Sequence, residues 1–583
     1  MVVTNAQPLR HANAAQQIIT RLPGKDSSER PSFAHAMSKP STAPSGILGW
    51  LERNVFALGR EMRLSYLPPL MVYVAAGISG LTGIVGTFFV KSYLGLSAEF
   101  LAALGFWAGL PWALKMPLGH LVDLMWKWKG LLVLLGAGLI ALSLAIMIGL
   151  LAAAETMRTV MPAEAWFVLT ALLAPIGYVI QDVVADAMTV EAVPRVDADG
   201  QPLPAEQRVL MHTTMQTLGR VAIIGGGVLV SLVNVVLLAG VESLPADGKL
   251  AAYLRIYQYA LIIPLVSILG VALAGRIRRR DERQLTARGY SAVQVANLLT
   301  VHGERPAVNW GILLGGLGFA AVSVAVGLGK VPGAQEIVFG ASLSIVLFLM
   351  WRLLGALQAE ARATLVGTAV VIFVFRAMPG PGSGSTWWMI DQLGFDESFL
   401  ARLSAIASIL TLAGLFLFRR FMAERPITSI VAFLTIIGTL LSLPVLGMYH
   451  GLHVWTAAHT GGVVDARFIA LVDTALESPL GQISMVPMLA WIARSAPDNL
   501  KATYFAVMAS FTNLALSASQ LGTKYLNQFF EVTREVIDPA THAITVPADY
   551  SQLGHLLLAC TVIGLIAPLA AIGMVRVMAL KSE

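Results

Sequence analysis

Long apolar runs separated by short polar loops recur from residue 67 to residue 578. A helix rises 1.5 Å per residue, so about 20 apolar residues cross the hydrocarbon core of a bilayer. The pattern predicts fourteen spans. Six come first, at 67–90, 99–124, 130–153, 165–191, 208–238 and 251–275. A cytoplasmic loop, 276–308, follows, with Arg276, Arg278, Arg279, Arg280, Arg283 and Arg288. Two spans at 309–329 and 335–355 form a separate pair, and six more cover 362–391, 398–420, 427–449, 466–494, 502–528 and 552–578. The expected layout is a bundle over 67–275, an inserted pair over 309–355 and a second bundle over 362–578.

Residues 1–46 have no apolar run, so they are read as a disordered cytoplasmic tail rather than a signal peptide. Residues 47–62 differ. Ile47, Leu48, Leu51, Val55 and Leu58 fall at helical spacing, Glu52, Arg53, Arg60 and Glu61 take polar positions, and Trp50 suits the headgroup level. That pattern predicts an amphipathic helix lying in the membrane interface.

Composition agrees with the spans. The chain is 56% hydrophobic and 13% charged, with a mean hydropathy of +0.72. A soluble chain carries about 25% charged residues, so soluble and disordered classes are excluded. Cys560 is the lone cysteine, which leaves no disulfide or cysteine-rich metal site within one chain. The net charge of +6 matters less than its placement. With both termini in the cytoplasm, about 28 of the 40 Lys and Arg fall in cytoplasmic segments. Outer loops hold few of them and several acids, Glu531, Asp538 and Asp549 among them. This predicts an integral protein of the cytoplasmic (inner) membrane. No basic stripe with interleaved aromatics suggests nucleic acid.

The two six-span blocks share a repeat. TFFVKSYLGLSAEFLAAL (87–104) aligns with TWWMIDQLGFDESFLARL (386–403), with identities that include Thr87/Thr386, Gly95/Gly394, Phe100/Phe399 and Leu104/Leu403. Each segment joins the first and second spans of its block. Two parallel membrane halves mark a transporter with its site between them.

An ionisable side chain within a span is costly and so a site candidate. Lys115 lies in the second span, Asp182 and Asp186 share a face of the fourth at i and i+4, and Glu191 ends it. Arg220 lies in the fifth, with Gln216 on the same face. Lys115, Asp182 and Arg220 sit at one depth and can meet, either as a proton-coupling or gating network or as a structural ion-pair cluster. In the second half, Arg376 precedes AMPGPGSGSTWW, where Pro379, Gly380, Pro381, Gly382 and Gly384 cannot continue a helix. Broken backbone at membrane depth is tolerated where it is buried or lines a cavity. Arg376, Trp387 and Trp388 are therefore candidates for an anionic, planar substrate, with interface anchoring open for the tryptophans. Asp473 and Glu477, with Gln482, are the acidic and polar candidates of the second half. Gly77, Gly80, Gly83 and Gly86 recur every three residues and predict close helix packing. His120 and Asp123 lie three apart without further ligands converging, so no metal is expected. No nucleotide-binding or common hydrolase motif is present, and no cofactor is called for.

Gly119 and Asp123 resemble the start of the loop motif between the second and third spans of major facilitator transporters. PWALKMPLGHLVD (111–123), QDVVADAMTVEAV (181–193), PGSGSTWWMIDQLGFDESFLARL (381–403) and GQISMVPMLAWIARSAPDNLKATYFAVMASFTNL (481–514) together resemble the folate–biopterin transporter family within that superfamily. The resemblance spans most of 67–575 and does not place the 309–355 pair. It implies import of folates or pterins coupled to protons, with Lys115, Asp123, Asp182, Asp186, Glu191 and the break around Pro381 at matching positions. The muropeptide permeases share a similar element in the fourth span and stand as the alternative.

The expectation is thus an all-α membrane protein of the major facilitator fold with about fourteen transmembrane helices. It is expected to act as a monomer and not as an enzyme, taking up a folate- or pterin-like organic anion with protons. Asp182 and Asp186 would handle the proton, Lys115, Arg220, Asp123 and Glu191 would tune or gate, and Arg376, Trp387, Trp388, Gln216, Gln181, Asp473, Glu477 and Gln482 would face substrate. A non-transporting assembly factor on the same fold is the rival from another class.

Overall fold

The computed structural model describes Gly49, Glu52, residues 57–481, 483, 501–578 and 580, less 114, 126–127, 195–202, 300–307, 309, 329–330, 356–357 and 538–543. The predicted tail, half of the predicted interfacial helix and Gln482 lie outside the described residues.

The first span is α1 (Leu67–Gly77) and α2 (Gly83–Tyr93), joined by a 3-10 turn over Ile78–Thr82. Prolines 68 and 69 stand in its first turn, where a missing N–H costs nothing. The second span is α3 (Ala98–Ala113) and α4 (Lys115–Leu124). Then come α5 (Lys129–Ala152), α6 (Ala163–Ala192), α7 (Ala205–Leu237), α8 (Ala246–Ala260) and α9 (Ile262–Ala287). The inserted pair is α10 (Trp310–Leu328) and α11 (Ala334–Leu354). The second bundle holds α12 (Ala359–Arg376), α13 (Ser383–Leu393), α14 (Glu397–Leu417), α15 (Ile427–Tyr449), α16 (Ala466–Glu477), α17 (Lys501–Phe529) and α18 (Leu553–Val577). A two-stranded hairpin, β1 (Val536–Ile537) and β2 (Ile544–Val546), fills the link between α17 and α18.

Among the described residues, nine helices are long and apolar enough to cross a membrane. Of the expected fourteen, the span at 466–494 lies partly outside the described residues. α9 also runs on through Arg276–Arg283, which the sequence assigns to a loop. Arg, Glu and Gln are good helix formers, and Arg278 pairs with Glu282 one turn on at 3.0 Å, so the helix leaves the apolar zone intact.

The two halves meet along two seams. α3 lies along α17, and α7 lies along α14. Within the first half α1 and α7 cross at Gly77 and Gly226, where a Cβ on Gly77 would strike the Ile223 carbonyl. Gly105, on α3, leaves room for the Gln520 side chain of α17. The inserted pair lies across the first seam. Gln335 donates to the Ala103 carbonyl on α3 at 3.3 Å, and its neighbour Glu336 takes Lys524 at 3.0 Å and Tyr525 on α17.

Candidate functional site

The intramembrane charges of the first half do come together. Lys115 Nζ bridges Asp182 Oδ2 at 2.5 Å and Asp186 Oδ2 at 2.7 Å. The helical i, i+4 spacing sets both carboxylates on one face of α6, toward the start of α4. Tyr73 on α1 donates to the other oxygen of Asp186 at 2.6 Å. Arg220 on α7 lies within electrostatic reach of Asp182 and Tyr73. Side-chain exposure is 16% at Asp182 and 44% at Asp186, so water reaches the second carboxylate. Gln216 donates to Thr189 Oγ1 at 3.3 Å, one turn past Asp186. Glu191 belongs elsewhere: it pairs with Lys129 at the end of α6. The side chain of Asp123 lies outside the described ones.

One turn from Asp182 along α6, Tyr178 opens onto a cavity of about 440 Å³. Its wall is rich in hydroxyls, with Thr82, Thr87, Ser143, Thr170, Ser383 and Thr386, and it carries the aromatic faces of Phe167, Tyr178, Tyr257 and Trp387. α13 of the second half supplies Ser383, Thr386 and Trp387, so the cavity spans both halves. Gly83 and Gly86 line it too, whereas Gly77 packs helices; the glycine stripe serves both ends.

The break after Arg376 is built into this wall. α12 stops at Arg376 and α13 restarts at Ser383, with Gly382 at φ +72°. A side chain is disfavoured at that angle. The freed backbone groups are met by α17. Ser519 donates to the Met378 carbonyl at 2.6 Å, Thr523 Oγ1 accepts from Gly380 N–H at 3.0 Å, and Asn527 donates to the Pro381 carbonyl at 3.3 Å. Arg376 itself donates to the Thr512 carbonyl at 3.3 Å. Of the two tryptophans, Trp387 borders the cavity, while Trp388 packs on Tyr449 in the second half's core. The structure therefore sets Arg376, Trp387 and Trp388 against different neighbours.

Gln181 is buried within the first bundle. It donates to the Val133 carbonyl at 3.2 Å and accepts from Ser267 at 3.0 Å, joining α5, α6 and α9. Asp473 borders a smaller apolar hollow of about 200 Å³ between α15 and α16, and its Oδ1 has no hydrogen-bond partner among the described residues. Glu477 follows one turn later at an exposed position. These acids lie away from the Lys115 cluster and from the cavity's wall.

The face predicted to be outer is shut. Lys91 pairs with Asp391 at 2.5 Å, and Tyr550 donates to Asp391 at 2.6 Å. Glu397, buried on α14, takes Tyr253 at 2.5 Å and Lys249 at 3.4 Å. Gln528 donates to Glu99 at 2.6 Å. Arg534, just before β1, donates to the carbonyls of Val90, Lys91, Leu94 and Leu96 at the end of α2, and its guanidinium lies 4.3 Å from the centre of the Trp387 ring. Burial lowers its pKa to about 10, which leaves it cationic at neutral pH.

Sequence reasoning missed Tyr73, the cavity hydroxyls and Arg534. Tyrosines and hydroxyls within apolar spans carry no alarm, but Ser519, Thr523 and Asn527 at i, i+4 and i+8 form a polar stripe that was readable.

Comparison with known proteins follows the same lines. Residues 292–578 match the BT1 family, a stretch that takes in the 309–355 pair the motifs left unplaced. The chain is 24% identical over 468 residues to a folate-biopterin transporter of Synechocystis sp. (strain ATCC 27184 / PCC 6803 / Kazusa), covering 79% of this chain and 74% of that one. Among solved structures it is similar to a POT family transporter in complex with 5-aminolevulinic acid, with a TM-score of 0.52 at 10% identity over 90% of this chain and 96% of that one. It is also similar to the peptide transporter POT in complex with alafosfalin, with a TM-score of 0.51 at 15% identity over 88% and 94%. The fold is the helical major facilitator fold with one short hairpin, and the resemblance to folate–biopterin transporters is shown by family match and relative alike. The chain is an integral membrane protein whose relatives are transporters rather than enzymes.

Proposed function

We propose that the chain, sharing its family with a folate-biopterin transporter, is a secondary active transporter that takes up a compound of the folate or pterin class together with protons. The two halves would rock about the cavity between them. One observation carries this reading: the Lys115–Asp182–Asp186–Tyr73 cluster lies one turn of α6 from a cavity walled by both halves. A carboxylate pair sharing one lysine responds to protonation, because a neutral Asp182 or Asp186 releases half of the bridge. Arg220 tunes the pair, and Trp387 offers the substrate a flat face. Glu191 with Lys129 has a gating role at the far end of α6. The protein works as a monomer in the cytoplasmic membrane, with both termini inside. Closure of the predicted outer face supports a state open toward the cytoplasm.

The test is uptake of labelled folate and of a simple pterin into proteoliposomes, with and without an inward proton gradient. Accumulation above equilibrium is expected only with the gradient, and Asp182→Asn should abolish it. Accumulation that ignores the gradient would remove the proton from the reading. No uptake of either compound by folded protein would remove the substrate class.

A further inference from the structure

Three hydroxyls of the cavity wall have their protons committed to backbone. Ser143 donates to the Thr170 carbonyl at 3.0 Å, Thr170 to the Phe167 carbonyl at 2.7 Å, and Thr87 to the Gly83 carbonyl at 3.0 Å. A hydroxyl owns one proton and two lone pairs. With the proton engaged, each oxygen meets a ligand as an acceptor only. The partner that completes it must bring an N–H or O–H. A carboxylate brings acceptors alone and leaves these oxygens unpaired.

Among the described residues no Lys, Arg or His lines the cavity, and the cations of the neighbouring elements are engaged elsewhere. Lys115 is held between two carboxylates, Lys91 is paired with Asp391, and Arg534 is engaged by four carbonyls of the α2 end. The remaining wall is uncharged: Thr82, Ser383 and Thr386 add neutral hydroxyls that cannot balance a buried carboxylate, and Phe167 and Trp387 give flat surfaces with Ile140 and Leu144 beside them. Such a wall suits a planar ring, and its volume stands at the low end of small-molecule sites, which span about 300–1,000 Å³.

We infer that the cavity receives an uncharged nitrogen heterocycle bearing amino or lactam N–H groups, reads that edge with Thr87, Ser143 and Thr170, and disfavours a carboxylate-bearing tail. This rests on the folate- or pterin-class reading and selects within it: a pterin without carboxylates is the substrate, and folate with its glutamate is a poor one.

The experiment uses the full chain in proteoliposomes with four probes: a carboxylate-free pterin, its analogue lacking the ring amino group, folate, and free glutamate. The carboxylate-free pterin should show a kcat/KM about tenfold or more above that of folate, and glutamate should not compete. Thr170→Val should raise KM for the carboxylate-free pterin about tenfold and change that of the deamino analogue about twofold or less, because only the first presents the donor that the lost oxygen accepted. Ser143→Ala is the second variant, should Thr170→Val fail to fold. Folate transported as well as the simple pterin would overturn this inference and leave the substrate class standing. An unchanged amino-to-deamino ratio in both variants would overturn the assignment of the acceptors. Uptake of neither pterin nor folate would overturn the class itself.

Discussion

Lys115 is the residue on which the ion cluster turns. Its ammonium bridges Asp182 and Asp186, a single helical turn apart, and so offsets their repulsion across α6. Removing one partner of a buried pair costs more than removing both, since the charge left behind is uncompensated. Lys115→Met should therefore destabilise the protein, by up to about 3 kcal/mol given the partial exposure of Asp186. The double variant Lys115→Met/Asp182→Asn should recover at least half of that, because Asp186 keeps its bond from Tyr73. Thermal unfolding of the four forms in detergent checks this. A double variant less stable than Lys115→Met would show that Asp182 is held by something other than the lysine. This cluster was legible in the sequence because charges within spans are rare enough to count one by one. Tyr73 was not, because a tyrosine in an apolar span is unremarkable until a carboxylate is seen beside its hydroxyl. The cavity hydroxyls were hidden for a related reason: serine and threonine recur throughout the spans, and a helical hydroxyl commonly bonds its own backbone, as Thr87 and Thr170 do.

The elements show what a broken helix requires of its neighbour. The sequence placed the break at Pro379–Gly384, and α12 and α13 do part there. What stayed out of view was how the freed N–H and carbonyl groups are satisfied. α17 meets them with Ser519, Thr523 and Asn527, one per turn on a single face. An unsatisfied buried backbone group costs about 1–3 kcal/mol, so Thr523→Val and Asn527→Leu should each lower stability by that order. Ser519→Ala should do the same through the Met378 carbonyl. Leu516→Ala, at an exposed position of the same helix, makes the control, and a melting series in one detergent separates the two kinds of site. If Thr523→Val melts with the wild type, water satisfies Gly380 and α17 is not its support. The hairpin after α17 was equally invisible, because its two short strands carry no alternation long enough to register.

For the whole molecule, the closure of the predicted outer face converges on Arg534. Its loop belongs to the second half, its four carbonyl acceptors to the first, and its guanidinium covers Trp387 at the cavity wall. Opening that face must break these bonds together with Lys91–Asp391 and the contacts to Glu397. The carbonyls of Val90, Lys91, Leu94 and Leu96 end α2 or follow it, where a helix leaves acceptors without partners. A cation there is favoured by the helix dipole as well as by the bonds themselves. Arg534→Ala therefore removes a clasp from the closed state and nothing from the open one, and the population shifts toward open by the difference. Labelling from the outer side reads this directly. Cys560 is the chain's single cysteine, so Cys560→Ser gives a clean background in which Ser383→Cys reports on the cavity wall. A membrane-impermeant thiol reagent should modify Ser383→Cys slowly from outside in the otherwise intact chain. It should do so about tenfold faster once Arg534→Ala is added, a shift equal to about 1.4 kcal/mol. Arg534→Lys should fall between, since one ammonium cannot reach four carbonyls as the guanidinium fork does. Equal rates in all three would mean that Lys91, Asp391 and Glu397 hold the face shut without it.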